Sequence, residues 1–339
     1  MSVFHKSRRN LFLLKETTPG TWMTAASVFT AANAKTPYRN IKIKAGIKEV
    51  ERNIDGSTLL SSFSLFYGEN AEITFDTDDY TSGAAGTVVG TTAGVGMDLL
   101  WQAGFFGPAT IVASTSVTRQ QNSSAMTKMS VGVELISEDG TTSWRIGIAG
   151  AAVTAIKEDF TVGAQGVIHW TIKGKIAYES ALPVFGLAGT PVAITTRDTV
   201  LGNLPQFKGL SFTVGGVSRL ISKLSLDWGI SADEETDITD QTSIQRFILS
   251  SLKPTLTIDP ETTPRATADD FTKFFAGSAE SISFALGTGA GKVITYTLGS
   301  AQRKTATIGE RSSITTSELV FRLNKVTDAG DDAIIRAET

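Results

Sequence analysis

Only two histidines, His5 and His169, and no cysteine stand in this chain of 339 residues, which restricts the chemistry its side chains can do. A serine nucleophile would need one of those imidazoles as its base. His169 lies between Ile168 and Trp170, on the face of a period-2 stretch that also carries Thr171 and Lys173. That placement reads as a surface or interface strand residue. Zinc needs a cluster of Cys or His ligands, and the sequence offers none. Asp76, Asp78 and Asp79 follow an apolar stretch and could hold calcium or act as paired acids. A glycosidase built on Asp76 and Asp79 would need two facing acids in a concave pocket with raised pKa values. Acids at a strand end are more often turn residues.

The remaining motifs fail on their spacing. Residues 287–292 look like a phosphate loop, but Leu286 stands where the first Gly belongs, and Lys292 is followed by Val293. The Gly-rich stretch 83–96 lacks a preceding buried parallel strand and an acidic ribose partner. The acidic run 231–241 (Asp233, Glu234, Glu235, Asp237, Asp240) lacks the central Gly of a calcium loop and reads as a solvated loop. No basic patch interleaved with aromatics appears. The expectation is therefore no catalytic, cofactor-binding or metal residues, no cofactor, and a structural or interaction protein rather than an enzyme.

What must be positioned, then, is a fold, and the fold repeats. Val131, Val133 and Leu135 alternate along one stretch, and Ile282, Phe284 and Leu286 do so 151 positions later. Trp144, Ile146 and Ile148 are answered by Ile294, Tyr296 and Leu298, now 150 later. Ile168, Trp170 and Ile172 are answered by Leu319, Phe321 and Leu323, again 151 later. A period-2 pattern slipped by one residue would turn every side chain to the wrong face, so a constant offset over three strands points to a duplication. Residues 72–173 and 255–323 each read strand, loop, helix, hairpin, strand. Asp98 opens the first helix with Leu99, Ala103 and Phe106 on one face. Thr267-Ala268-Asp269-Asp270 caps the second, ahead of Phe271, Phe274 and Phe275. Each apolar stripe is expected to lie on the sheet of its own half. Glu138-Asp139-Gly140 turns one hairpin, and residues 287–291 turn the other.

The expected organisation is a basic N-terminal arm over 1–35, a first domain over 36–180, a linker over 181–206 and a second domain over 207–339. Residues 25–34 could form a short helix. Asp55-Gly56 reads as a turn, stretch 62–76 reads as two strands broken near Gly68, Leu210, Phe212 and Val214 answer the strand at Ile41, and the tail after Lys325 reads as solvated. A net charge of −3 is too small to suggest a duplex-DNA binder. No run of eighteen apolar residues could span a membrane, and the apolar stretch 11–14 is too short for a signal peptide.

The segment Glu16-Thr17-Thr18-Pro19-Gly20-Thr21 resembles the opening of tail tube proteins (major tail proteins) of long-tailed, siphovirus-like bacteriophages. The strand–helix–hairpin order of each half, with helices over 98–107 and 269–277, is similar to that family's fold. The resemblance implies a mainly β chain of two tandem tail-tube-like β-sandwich or barrel domains, each with one short α-helix on its sheet. It implies a virion protein assembled in the host bacterial cytoplasm, polymerising as stacked rings into a tube through which DNA is ejected. Its partners would be itself, other tail proteins at the tube ends and, non-specifically, passing double-stranded DNA, with no membrane. Two domains per chain would make a trimer with pseudo-sixfold symmetry. Stacking needs complementary surfaces. The first 45 residues carry eight basic side chains and one acid, whereas 231–241 carries five acids and no base. Lys15, Glu16, Thr21, Asp233, Glu234, Glu235 and Asp237 are thus the expected inter-subunit contacts. The other reading is a β-rich binding module, such as a receptor-binding tail component or adhesin.

Overall fold

The computed structural model describes residues 4–34, 36–50, 65–79, 97–112, 116–122, 124, 127–194, 207, 212–264, 267–288, 292–327 and 333–339. Alternating apolar residues become strands with one buried face. The chain forms β1 (Phe4–Lys15), α1 (Ala25–Val28), β2 (Arg39–Val50), β3 (Leu65–Asp78) and α2 (Met97–Ala103). Next come β4 (Thr110–Val112), β5 (Ser116–Gln120), β6 (Met129–Ser137), β7 (Ser143–Thr161) and β8 (Val167–Ile176). Short strands β9 (Tyr178–Glu179), β10 (Leu182–Pro183), β11 (Phe185–Gly189), β12 (Phe212–Val214) and β13 (Val217–Ser218) follow. The rest is β14 (Lys223–Asp227), β15 (Ile230–Thr236), β16 (Ile244–Leu252), β17 (Thr255–Ile258), α3 (Asp270–Phe275), β18 (Ala279–Leu286), β19 (Ile294–Arg311), β20 (Ile314–Asn324) and β21 (Ile335–Glu338). The protein is mainly β, with 17 strands in one antiparallel hydrogen-bonded network and no closed barrel among the described residues.

One pairing order occurs twice. β1–β6–β7–β8–β3–β2 is matched by β12–β18–β19–β20–β17–β14. The registers agree as well. Val131 faces Ile148 and Val133 faces Ile146, while Ile282 faces Leu298 and Phe284 faces Tyr296. Phe75 faces Trp170 on one side, and Leu256 faces Phe321 on the other. The long strands β7 and β19 each serve two layers, pairing β6 or β18 first and β8 or β20 further along. Bulges at 149/152 and 153/155 in β7 and at 303/305 in β19 bend them from one layer into the next.

The core lies on one face of the layer β2–β3–β8–β7–β14–β17–β20–β19. Leu99, Leu100 and Trp101 of α2 are fully buried there, each burial stabilising by about 1.5–3 kcal/mol. Trp101 packs edge-on against Trp170 at 5.1 Å and Phe106 at 4.9 Å.

Several expectations are corrected. Twelve residues of the expected arm, Phe4–Lys15, form strand β1, held on β6 by the buried Leu11, Phe12 and Leu13. Stretch 65–78 is one strand, because Gly68 takes φ +69 and passes the chain through an irregularity of the ladder. Phe212–Val214 pairs β18, so in ladder order it answers β1, and β14 is what answers β2. The acidic run begins as strand β15, and the C-terminal tail ends in strand β21 with Ile334 and Arg336 buried. Within the expected linker, Phe185–Gly189 is a strand on β7. Asp98 sits inside α2 and bonds Gln102 and Arg119 instead of capping. Asp269 does cap α3, accepting from the Thr272 amide at 3.0 Å. That helix turns its buried Asp270 to Arg219 and Arg303, leaving Phe271 and Phe275 exposed. The stretches around Asp55, Leu210 and 83–96 lie outside the described residues.

Candidate assembly interface

The two ladder sets meet where β14 lies on the open edge of β7. Leu224 stands opposite Phe160, Leu226 opposite Glu158 and Asp227 opposite Lys157. The join continues past both strand ends, through Val162 N–H to the Ser222 carbonyl at 2.9 Å and Trp228 N–H to the Ile156 carbonyl at 3.0 Å. Trp228 then packs on Trp101 of α2 at 5.4 Å and on Phe106 at 4.9 Å. Phe160 meets Phe207 and Tyr296, each at 6.0 Å. A second strand pairing, β5 with β21, closes the same boundary.

A buried polar cluster is sealed behind this join. Arg336 donates to Asp79 at 2.7 Å and to Glu338. Arg119 reaches Asp98 at 2.5 Å and Glu338 at 3.5 Å. The Tyr296 hydroxyl bridges Glu158 at 2.5 Å and Asp79 at 3.2 Å, and the Trp228 indole donates to Glu158 at 2.8 Å. Four carboxyls, Asp79, Asp98, Glu158 and Glu338, thus face two guanidiniums, so with one carboxyl protonated three negative charges meet two positive ones. Burial pushes the Glu158 carboxyl up to about 8, with the charge of Asp79 adding to the shift. Burial also raises Asp79, against which Arg336 pulls toward ionisation, so the two carboxyls titrate as a coupled pair. Burial and both carboxylates push Tyr296 well above the usual phenol range, and it stays a neutral relay between them. No sequence motif marked this cluster; its members are brought together only by the strand pairing.

The residues picked from sequence divide into engaged and exposed. Glu16 is buried and accepts from the Gly20 amide at 2.7 Å, the Gly150 amide at 2.7 Å and the Ser130 hydroxyl at 3.1 Å. Burial raises its pKa, and those hydrogen bonds oppose the rise. Glu234 bonds Lys48 and Asn70, and Glu235 bonds Arg246 at 2.5 Å. Glu16 and Glu235 both act on buried Lys128, which burial first, and then Arg246, lower to about 8. Segment 16–20 and the β15–β16 hairpin therefore do meet, within one chain. Asp237 caps a turn through the Thr239 amide and hydroxyl. Lys15, Thr21 and Asp233 are exposed. Asp79 is committed to Arg336, and Asp76 to His169 at 2.6 Å, so the structure does not pair these two acids.

The other face of the eight-stranded layer is polar, and charges on it compensate across strands and along them. Lys173 lies 3.3 Å from Glu72, Arg39 lies 2.8 Å from Asp78, and Lys157 lies 3.1 Å from Asp159. At the layer's two ends, among the described residues, β2 pairs only with β3, and residues 303–311 of β19 pair only with β20. Compared with protein-family models the chain matches none, and no curated protein matches it in sequence.

Proposed function

We infer that this chain is a self-assembling structural protein, its two ladder sets being copies of one tail-tube-like domain, and that it builds the tail tube of a long-tailed phage. The observation that carries this reading is the β7–β14 join. It gives an example of one unit adding its edge strand to the long strand of the next. An open edge invites further pairing, and closure is what removes edges. Each chain would add eight strands, so three chains would close a 24-stranded ring with pseudo-sixfold symmetry. At about 4.8 Å per strand such a ring is roughly 37 Å across before tilt widens it, enough to pass a double helix.

The polar face would line the channel. Three of its cations, Arg39, Lys157 and Lys173, lie beside carboxylates, which supports passage of DNA along a wall that is only in part basic. Stacking ring on ring is a heterologous contact and grows a filament. The exposed Phe271 and Phe275 also suit the second reading, a binding module with an aromatic patch. Negative-stain microscopy of the concentrated full chain separates the two. Stacked rings are the expected result, and discrete monomers at every concentration would end the tube reading.

A further inference from the structure

Building on the ring reading, we propose that the join inside the chain is the template for the join between chains: β2 of one copy adds to residues 303–311 of β19 in the next, antiparallel, with Lys42 opposite Thr305 and Ile41 opposite Ala306.

The register follows from matched ladders. Thr255 faces Asp227, and its counterpart Thr74 faces Lys42, so Lys42 holds the place of Asp227. Lys157 faces His169, and its counterpart Thr305 faces Val320, so Thr305 holds the place of Lys157. Asp227 stands opposite Lys157 within the chain. Transferring that pairing puts Lys42 opposite Thr305.

A second observation agrees with the first. On the flank of β7 that β14 covers, Phe160 and Trp101 are buried, at 1% exposure each. Among the described residues, the corresponding flank of β19 is bare. Ile308, in the place of Phe160, is 63% exposed, and Phe275 on the overlying α3 is 81% exposed. Apolar side chains that one unit buries against its neighbour are left open where the chain supplies no neighbour. The occupant is a second copy, because only that copy's first half carries the matching edge, with Ile41 and Ile43 where Leu226 and Trp228 stand.

The chain contains no cysteine, so disulfide trapping has no background. Lys42 and Thr305 are both exposed, so replacing them leaves the core untouched. Within one chain they lie seven strand spacings apart, about 33 Å, far beyond the roughly 7 Å limit between Cα atoms for a disulfide. The double variant Lys42→Cys/Thr305→Cys, oxidised at assembling concentration, is expected to give a covalent ladder ending at the closed ring. Lys44→Cys/Thr307→Cys, four residues out of register, is expected to link at least tenfold less. Ala306→Pro removes an edge N–H and is expected to stay monomeric with the circular dichroism and melting curve of the parent. Rings that form without the Lys42/Thr305 link, equal linking by the shifted pair, or normal assembly of folded Ala306→Pro each overturn the register while leaving the tube standing. Linked chains without rings or tubes would keep the pairing and end the tube reading; neither links nor rings would end both.

Discussion

Replacing Glu158 with Gln should make the protein more stable at pH 8 than the parent, and the size of the effect can be worked from the cluster. Glu158 is fully buried, and its carboxyl is pushed from 4.5 up to about 8. A carboxyl raised in the folded chain holds its proton where the unfolded chain has lost it. Its contribution is therefore full below about 4.5, and is lost as the pH rises toward about 8. The 3.5-unit difference corresponds to an upper bound of about 5 kcal/mol, at about 1.4 kcal/mol per unit. Glu158 shares its proton with Asp79, so the slope belongs to the pair. Gln keeps the neutral hydrogen-bond chain. Its oxygen accepts from Trp228, its nitrogen donates to Tyr296, and Tyr296 donates to Asp79. Urea unfolding of parent and variant at steps from pH 5 to pH 8 reads the difference, which cancels the contributions of groups not coupled to Glu158. The two should agree within about 1 kcal/mol at pH 5 and diverge by about 2–5 kcal/mol in favour of Gln at pH 8. Parallel curves across that range would show that the buried proton is not on Glu158.

Two further substitutions test the ties between segments. Glu16→Ala strips the acceptor from the Gly20 and Gly150 amides and the Ser130 hydroxyl, and should cost about 2–4 kcal/mol in urea unfolding at pH 7. A loss under 0.5 kcal/mol would mean water replaces the carboxylate freely. Gly229→Ala meets a backbone held at φ +60 with the Lys253 carbonyl carbon 2.1 Å from the new Cβ. It should lower stability by on the order of 3 kcal/mol or more and loosen the β15–β16 hairpin, seen as faster amide exchange there. Unchanged exchange would show that the kink between β14 and β15 tolerates a side chain.

How far the fold could be read from residues alone depended on whether the signal was local. The alternation at Val131, Val133, Ile146 and Ile148 and its echo at Ile282, Phe284, Tyr296 and Leu298 is legible as two hairpins, while their registers come from the structure. Alternation says which face is buried but not which strand lies alongside. That is why the β7–β14 join was invisible, along with the cluster of Asp79, Glu158, Tyr296 and Arg336, whose members are scattered over more than 250 positions. It is also why the acidic run reads as a solvated loop from sequence. Charged residues on a strand look like loop residues until Lys48, Asn70 and Arg246 are seen beside them.

The helices carry the most informative mismatch. Both were expected to bury an apolar stripe, and α2 does so, sealed in part by Trp228 arriving from the second ladder set. α3 has aromatic residues of the same kind, yet holds its sheet through Asp270, Arg219 and Arg303 while Phe275 faces outward. A hydrophobic pattern records what is buried in the working state, and a single chain need not be that state. If α2 needs the following ladder set to cover its flank, α3, whose flank no described strand covers, needs one too, and a second copy is the nearest source. The failed expectation at Phe271 and Phe275 then describes the same unfilled boundary as the bare edge at Ile308. In that view the sequence pattern belongs to the assembly and not to the lone chain, which is the relation that trapping Lys42 against Thr305 puts to the test.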